Sequence, residues 1–322
     1  MKELLVAENI TMEFQVRKQL FHSLPLRAVD SVSLKLRQNE TIGIVGESGS
    51  GKTTLGRLVL RLLKPTAGSL LYHGQEISQV PEGRLKTFRR RVQCIFQDPF
   101  ASIDPFMNVY QILEEPLIIH RIGGQGERTE LIHQALEEVK LTPVADFLPK
   151  YSHTLSGGQR QRLAIGRALI LRPDLIVADE PVSMIDASSR AEILYLFKEL
   201  QEKHGISFLY ITHDIATAHY FCRQIAVMYL GKIVELGPAR DLVRKPYHPY
   251  TQALIKAVPS PDPANRLKER PVIPGEPPSP LKAPSGCRFH PRCPDFIPGK
   301  CDVEPPRMAA IARGHYTACY LY

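Results

Sequence analysis

Nine residues of this 322-residue chain, Gly46 to Thr54, read GESGSGKTT and fit the pattern G-x-x-x-x-G-K-T. A β-branched run, TIGIVG, leads into them, and a helix-compatible run, TTLGRLVLRLLK, leads out. A glycine-rich turn in that setting holds polyphosphate. Its glycines let backbone N–H groups converge on phosphate oxygens, and the helix N-terminus adds partial positive charge. The residues placed to meet the phosphates are Gly46, Ser48, Gly49, Ser50, Gly51, Lys52, Thr53 and Thr54. Lys52 would reach the β- and γ-phosphates and Thr53 would offer its hydroxyl to Mg²⁺. A second signal is LIVADEP, in which four apolar residues end in Asp179 and Glu180. That puts two carboxylates at the carboxyl end of a buried strand, where open α/β sheets bind ligands. Asp179 would hold Mg²⁺ through water, and Glu180 would polarise the attacking water as general base. A third cluster is Cys287, Cys293, Cys301 and Cys319, spaced C-x5-C-x7-C-x17-C.

These residues need elements to position them. LLVAENITMEF and VDSVSLKL have strand character, TIGIVG suits a buried parallel strand, and DLIVADEP and SFLYITHD are two more buried-strand candidates. Between the last two, ASSRAEILYLFKELQEKHG has helical periodicity and stops at Gly205. Strand–helix alternation predicts an α/β unit with a mainly parallel sheet over residues 1–236. Its stretch from about 98 to 160 is mostly helical and forms a subdomain. Beyond Gly237 the composition changes, with prolines recurring from Pro246 to Pro306. Residues 237–322 therefore read as an irregular Cys- and Pro-rich extension, an appendage outside the sheet.

Composition narrows the classes. With 43% hydrophobic and 23% charged residues the chain is an ordinary globular protein. The net charge of +8 is spread along the sequence, with FRRR at Phe88 to Arg91 as its densest run, and reads as a solvated basic face. MKELLVAENITMEF has no signal-peptide core, and no run approaches the roughly 18 apolar residues of a membrane span. The expectation is a soluble, cytosolic protein, in which structural disulfides are rare.

LSGGQRQRLAIGRAL, from Leu155, resembles the signature of the ATP-binding-cassette ATPases and lies between the phosphate loop and the acidic strand. The resemblance implies a P-loop NTPase cassette: a mainly parallel sheet, an antiparallel N-terminal β part and a helical signature subdomain. It implies that Ser156, Gly157, Gly158 and Gln159 cap the γ-phosphate of ATP on a facing subunit. Gln97 in IFQDP resembles the glutamine that contacts Mg²⁺ and water. Asp186 in SMID stands in a motif usually written S-A-L-D. His213 in YITHD resembles the switch histidine on the γ-phosphate, and Phe14 resembles the adenine-stacking aromatic, with Phe21 as its competitor.

The chain's YHPYTQALIKAVPSPDP and PGEPPSPLKAPSGCRFHPRCP look like the C-terminal extension of the oligopeptide, dipeptide and nickel importer ATPases. FQDPFASIDPFMNV fits the same branch but departs from its DPYASLNPRMTV pattern, at Asp104 and Phe106 among other places, where the family docks its permease. The resemblance implies two permease subunits, a second, paralogous ATP-binding subunit and an extracytoplasmic substrate-binding protein. It implies no nucleic acid, and a peripheral position on the cytoplasmic face of the cell membrane. The alternative is a non-transport cassette ATPase of a soluble assembly such as carbon–phosphorus lyase.

For the four terminal cysteines, free thiols, structural zinc and an iron–sulfur cluster compete. Zinc sites of four cysteines use closer C-x2–4-C pairs. Iron–sulfur sites take four thiolates and often a Cys-Pro step, which Cys293–Pro294 supplies. The resemblance favours a [4Fe–4S] cluster.

Overall fold

The computed structural model describes residues 2–19, 22–98, 103–258 and 275–322. The chain divides into two compact units. The first gathers Met1–Lys2, Arg37–Glu40 and Gln79–Leu209, and the second Glu3–Leu36, Thr41–Ser78 and Tyr210–Tyr322.

The first unit joins a short parallel sheet segment to helices. Strands Val92–Ile95 and Leu175–Asp179 pair in parallel, Val92 opposite Leu175 and Ile95 opposite Ala178. Helices Val109–Ile119, Gln125–Glu138 and Gly157–Leu169 pack on one another. Ile112, Leu113, Leu117, Ile132, Leu136, Leu163 and Ile165 are all buried and supply their apolar faces. The first of these helices starts at a capping box, with the Asn108 side chain accepting from the Gln111 amide and the Gln111 side chain accepting from the Asn108 amide. The long helix Ala187–His204 ends at Gly205, whose φ of 66° needs the left-handed region.

The second unit carries two sheets. One runs His22–Arg37, Glu3–Gln19, Ala67–Tyr72, Gln75–Glu76, with Leu5 opposite Tyr72 in an antiparallel pairing. In the other, the fully buried strand Thr41–Val45 lies parallel to Gln224–Tyr229, which pairs antiparallel with Lys232–Pro238. The expected strands over residues 4–14, 29–36 and 41–46 are present, and the helix expected over TTLGRLVLRLLK forms but stops at Val59.

The C-terminal segment departs from expectation. It is not an appendage outside the sheet: Ala309–Ala312 and His315–Thr317 form a hairpin, and the second of these strands pairs with Lys232–Pro238, Glu235 opposite Thr317. Strands of four and three residues are too short for an alternating pattern to be read from sequence. A buried cluster locks the hairpin. Glu235, fully buried, accepts from His315 Nε2 at 2.8 Å and from the amides of Tyr247 and His248 at 2.9 Å. Among the described residues no helix is long and apolar enough to cross a membrane.

Candidate functional site

The phosphate loop sits in the second unit between the strand Thr41–Val45 and the eight-residue helix Lys52–Val59. Two positions show why glycine is required. A Cβ on Gly46 would stand 2.1 Å from the Met228 carbonyl oxygen, and one on Gly51 would stand 2.2 Å from that of Ala28. Gly51, at φ 101°, precedes the helix without a side-chain cap, and a helix N-terminus reached through a glycine turn is where an anion is favoured. Lys52 is buried, with Nζ donating to the carbonyls of Gly46 at 2.8 Å and Glu47 at 2.9 Å. Ser48, Gly49 and Thr53 are exposed, Thr54 is half-buried, and Ser50 is buried. In the same unit, Phe14 is half-buried on the strand Glu3–Gln19, and His213 is exposed just past the strand Ser207–Thr212. Phe21 lies outside the described residues.

The first unit holds the remaining predicted residues. Asp179 ends its strand and Glu180 follows it, both half-buried. Glu180 adopts φ 46°, a left-handed conformation that costs a non-glycine residue on the order of 1–3 kcal/mol. Nothing in LIVADEP announced that strain. Its carbonyl accepts from the Ser183 amide and hydroxyl, which holds the turn, and Gln97 Nε2 donates to its carboxylate at 3.5 Å. Ser156 caps the helix Gly157–Leu169 in a full capping box with Gln159, and both Ser156 and Gly157 are exposed. The turn is tied to the SMID segment: a Cβ on Gly158 would lie 3.2 Å from Ser189 Oγ, and one on Gly157 would lie 3.7 Å from Ile185. Asp186 caps the helix Ala187–His204. Hydrogen bonds from the Ser188 hydroxyl and then the Ser189 amide and hydroxyl hold its carboxyl far below the usual carboxylate range. The donors at Thr53, Gln97 and Asp179 are hydroxyl, amide and carboxylate oxygens, the hard set that Mg²⁺ takes.

The four terminal cysteines fall in the second unit and are close enough to influence one another's ionisation. Burial, then neighbouring thiols, pushes Cys287 up to about 11, and burial does the same for Cys293. Among the described residues no group of three or more His, Cys, Asp or Glu side chains is placed to hold a metal ion. The four thiols share a neighbourhood but do not form a ligand cage in this structure. Cys222 is buried and Cys94 half-buried; burial raises both thiols, Cys94 to about 11, as suits inert packing residues.

Sequence reasoning missed a set of contacts behind the phosphate loop. Arg292, only 7% exposed, reaches Glu47 with two nitrogens, at 2.9 and 3.3 Å. Burial works against its charge, but the hydrogen bonds to Glu47 and Tyr229 outweigh it and hold the guanidinium above its ordinary range. The Glu47 amide donates to Tyr250 Oη at 2.8 Å. Arg288 bonds the Leu230 carbonyl and the Asp30 carboxylate, and the neighbouring Gly231 amide donates to the Ser50 carbonyl at 2.8 Å. Residues 245 positions apart leave no local signal of such a contact.

Comparisons with known proteins match this architecture. The ABC transporter family model matches residues 29–183, and the oligopeptide/dipeptide transporter C-terminal region matches residues 234–301. A Brucella ovis relative whose name assigns it to peptide import ATP binding is 46% identical, over 98% of this chain and 97% of its own. The oligopeptide transport ATP-binding protein AppF of Bacillus subtilis is 44% identical, over 99% and 97%. Among solved structures, an ATP-binding cassette captured as a dimer with ADP and Pi after hydrolysis superposes with a TM-score of 0.65 at 28% identity. It covers 74% of this chain and 99% of that one. A Clostridium perfringens cassette from a cbiONQ transporter complex, at 24% identity and TM-score 0.66, shares the fold over 76% of this chain and 92% of its own. The chain is an ATPase of the ABC transporter family, in the branch that carries the oligopeptide/dipeptide transporter C-terminal region.

Proposed function

We propose that this chain is the ATP-hydrolysing subunit of a membrane importer for di- or oligopeptides, or for a related nickel or sugar substrate. The observation that carries the proposal is similarity over nearly the whole chain to peptide and oligopeptide import ATP-binding proteins, on a fold whose glycine-rich loop joins a buried strand to a helix. Residues 1–236 act as the nucleotide-binding domain, with a helical subdomain at about 98–160, and 237–322 as its extension. Gly46, Ser48, Gly49, Ser50, Gly51, Lys52, Thr53 and Thr54 hold the phosphates, and Phe14 stacks on adenine. Thr53, Gln97 and Asp179 hold Mg²⁺, which neutralises phosphate charge when bound. Glu180 takes the proton of the attacking water, and His213 and Gln97 orient the γ-phosphate and that water. Ser156, Gly157, Gly158, Gln159 and Asp186 serve the ATP of a facing subunit; the exposure of the Ser156–Gly157 turn supports this.

The subunit works peripherally at the cytoplasmic face of the membrane, beside a paralogous or identical ATP-binding subunit and on two permeases. Phe106, Ile118 and Ile119, exposed at 88, 53 and 55% on the first unit, are apolar side chains that a docked permease would cover. An extracytoplasmic binding protein delivers the substrate. A [4Fe–4S] cluster on Cys287, Cys293, Cys301 and Cys319, or zinc in its place, belongs to the same reading. It rests on four neighbouring thiols in one segment, and anaerobic metal and sulfide analysis of wild type against Cys287→Ser tests it. Purification of the tagged chain from membranes should recover two polytopic permeases. Recovery of soluble partners alone would overturn the import reading.

A further inference from the structure

The stretch CRFHPRC, Cys287 to Cys293, places three side chains behind the phosphate loop. Arg288 grips the Leu230 carbonyl, one residue before the Gly231 amide that holds Ser50. Phe289, 1% exposed, packs on Tyr229 and Tyr250 with ring centroids 5.3 Å away. Arg292 pairs with Glu47. Glu47 is the second residue of a loop built to attract phosphate, and its carboxylate opposes that task. A negative charge beside an anion site weakens anion binding unless a cation cancels it. The buried guanidinium does so with two hydrogen bonds, in a setting where water screens the pair poorly.

We propose that Arg292 is a positioning residue for nucleotide binding: from the C-terminal segment it neutralises Glu47 and draws its carboxylate out of the phosphate loop. The extension thereby sets the affinity of the loop for ATP, without touching ATP itself. The inference rests on the ATP-binding reading above. Its test is a charge cycle in the full-length chain, read by MgATP affinity and by the KM for ATP against kcat. Arg292→Ala should weaken ATP binding about tenfold, and adding Glu47→Gln should return it to within about threefold of wild type. KM should follow affinity, while kcat at saturating ATP stays nearly constant. Should Arg292→Ala melt below the assay temperature, Arg292→Gln with and without Glu47→Gln makes the same comparison. Unchanged affinity in the arginine variant overturns the inference. So does a loss that Glu47→Gln fails to restore, because a merely structural brace would fail in both backgrounds. A wild-type chain that does not bind MgATP would instead sink the ATPase reading itself.

Discussion

The phosphate loop and the cysteine segment lie in the same unit but are held in different ways. The loop shapes itself: left-handed glycines, a helix start without a cap and Lys52 bonded to the carbonyls of Gly46 and Glu47 all lie within nine residues. The segment from Cys287 forms short turns of its own, with the His290, Arg292 and Cys293 amides bonded inside it. Its side chains, however, are anchored by partners far away in sequence, namely Asp30, Glu47, Tyr229 and Tyr250. A local motif can be read from spacing, whereas a long-range brace can be read only from structure. The difference also separates their failures: damage to the loop should abolish binding, and damage to the segment should loosen the fold and tune binding.

Lys52→Ala should break the comparison most severely. It removes the loop's buried cation, and two charge-assisted hydrogen bonds with it, and should weaken ATP binding by at least about 100-fold, with about 1–3 kcal/mol of stability lost as the Gly46 and Glu47 carbonyls lose their donor. A loss under tenfold would mean that the backbone amides alone hold the nucleotide. Phe289→Ala should do the converse. Deleting a fully buried ring costs about 3–5 kcal/mol, read as a lower denaturation midpoint, while the folded fraction still binds ATP. Ser156→Ala, which removes a helix cap in the other unit, should cost about 1 kcal/mol and leave the phosphate loop's own affinity for ATP unchanged.

The effects of pH fall on the segment's side. Burial lowers His248 from its ordinary 6.5 to about 3, so the unfolded chain takes up a proton first. Stability is intact above about pH 6.5 and declines as pH falls toward 3. In the metal-free chain Cys287 and Cys293 are raised from 9 to about 11, so the unfolded chain releases those protons first. Stability is intact below about pH 9 and declines as pH rises toward 11. Denaturant midpoints across pH check both slopes, and a flat profile would show that these groups are not buried in solution.

Much of this molecule is legible in its sequence because the chemistry is contiguous. GESGSGKTT, LIVADEP and LSGGQ each carry their residues within a turn or a strand end, and each lies where strand and helix periodicity puts it. The strain at Glu180 was not legible, because a single left-handed residue has no compositional mark. The C-terminal hairpin was not legible, because its strands are too short to alternate and depend on Glu235 and His315, 80 residues apart. The four cysteines were legible as a cluster. The contacts of their segment were not, since Arg288 and Arg292 look like ordinary surface charge until their partners Asp30 and Glu47 are seen.

The central claim, that this chain turns over ATP with Glu180 as its base, is tested most directly by measuring MgATP binding and steady-state hydrolysis side by side for wild type and Glu180→Gln. The account predicts binding within about threefold of wild type and hydrolysis lower by at least about 100-fold. Hydrolysis at the wild-type rate by Glu180→Gln would contradict it.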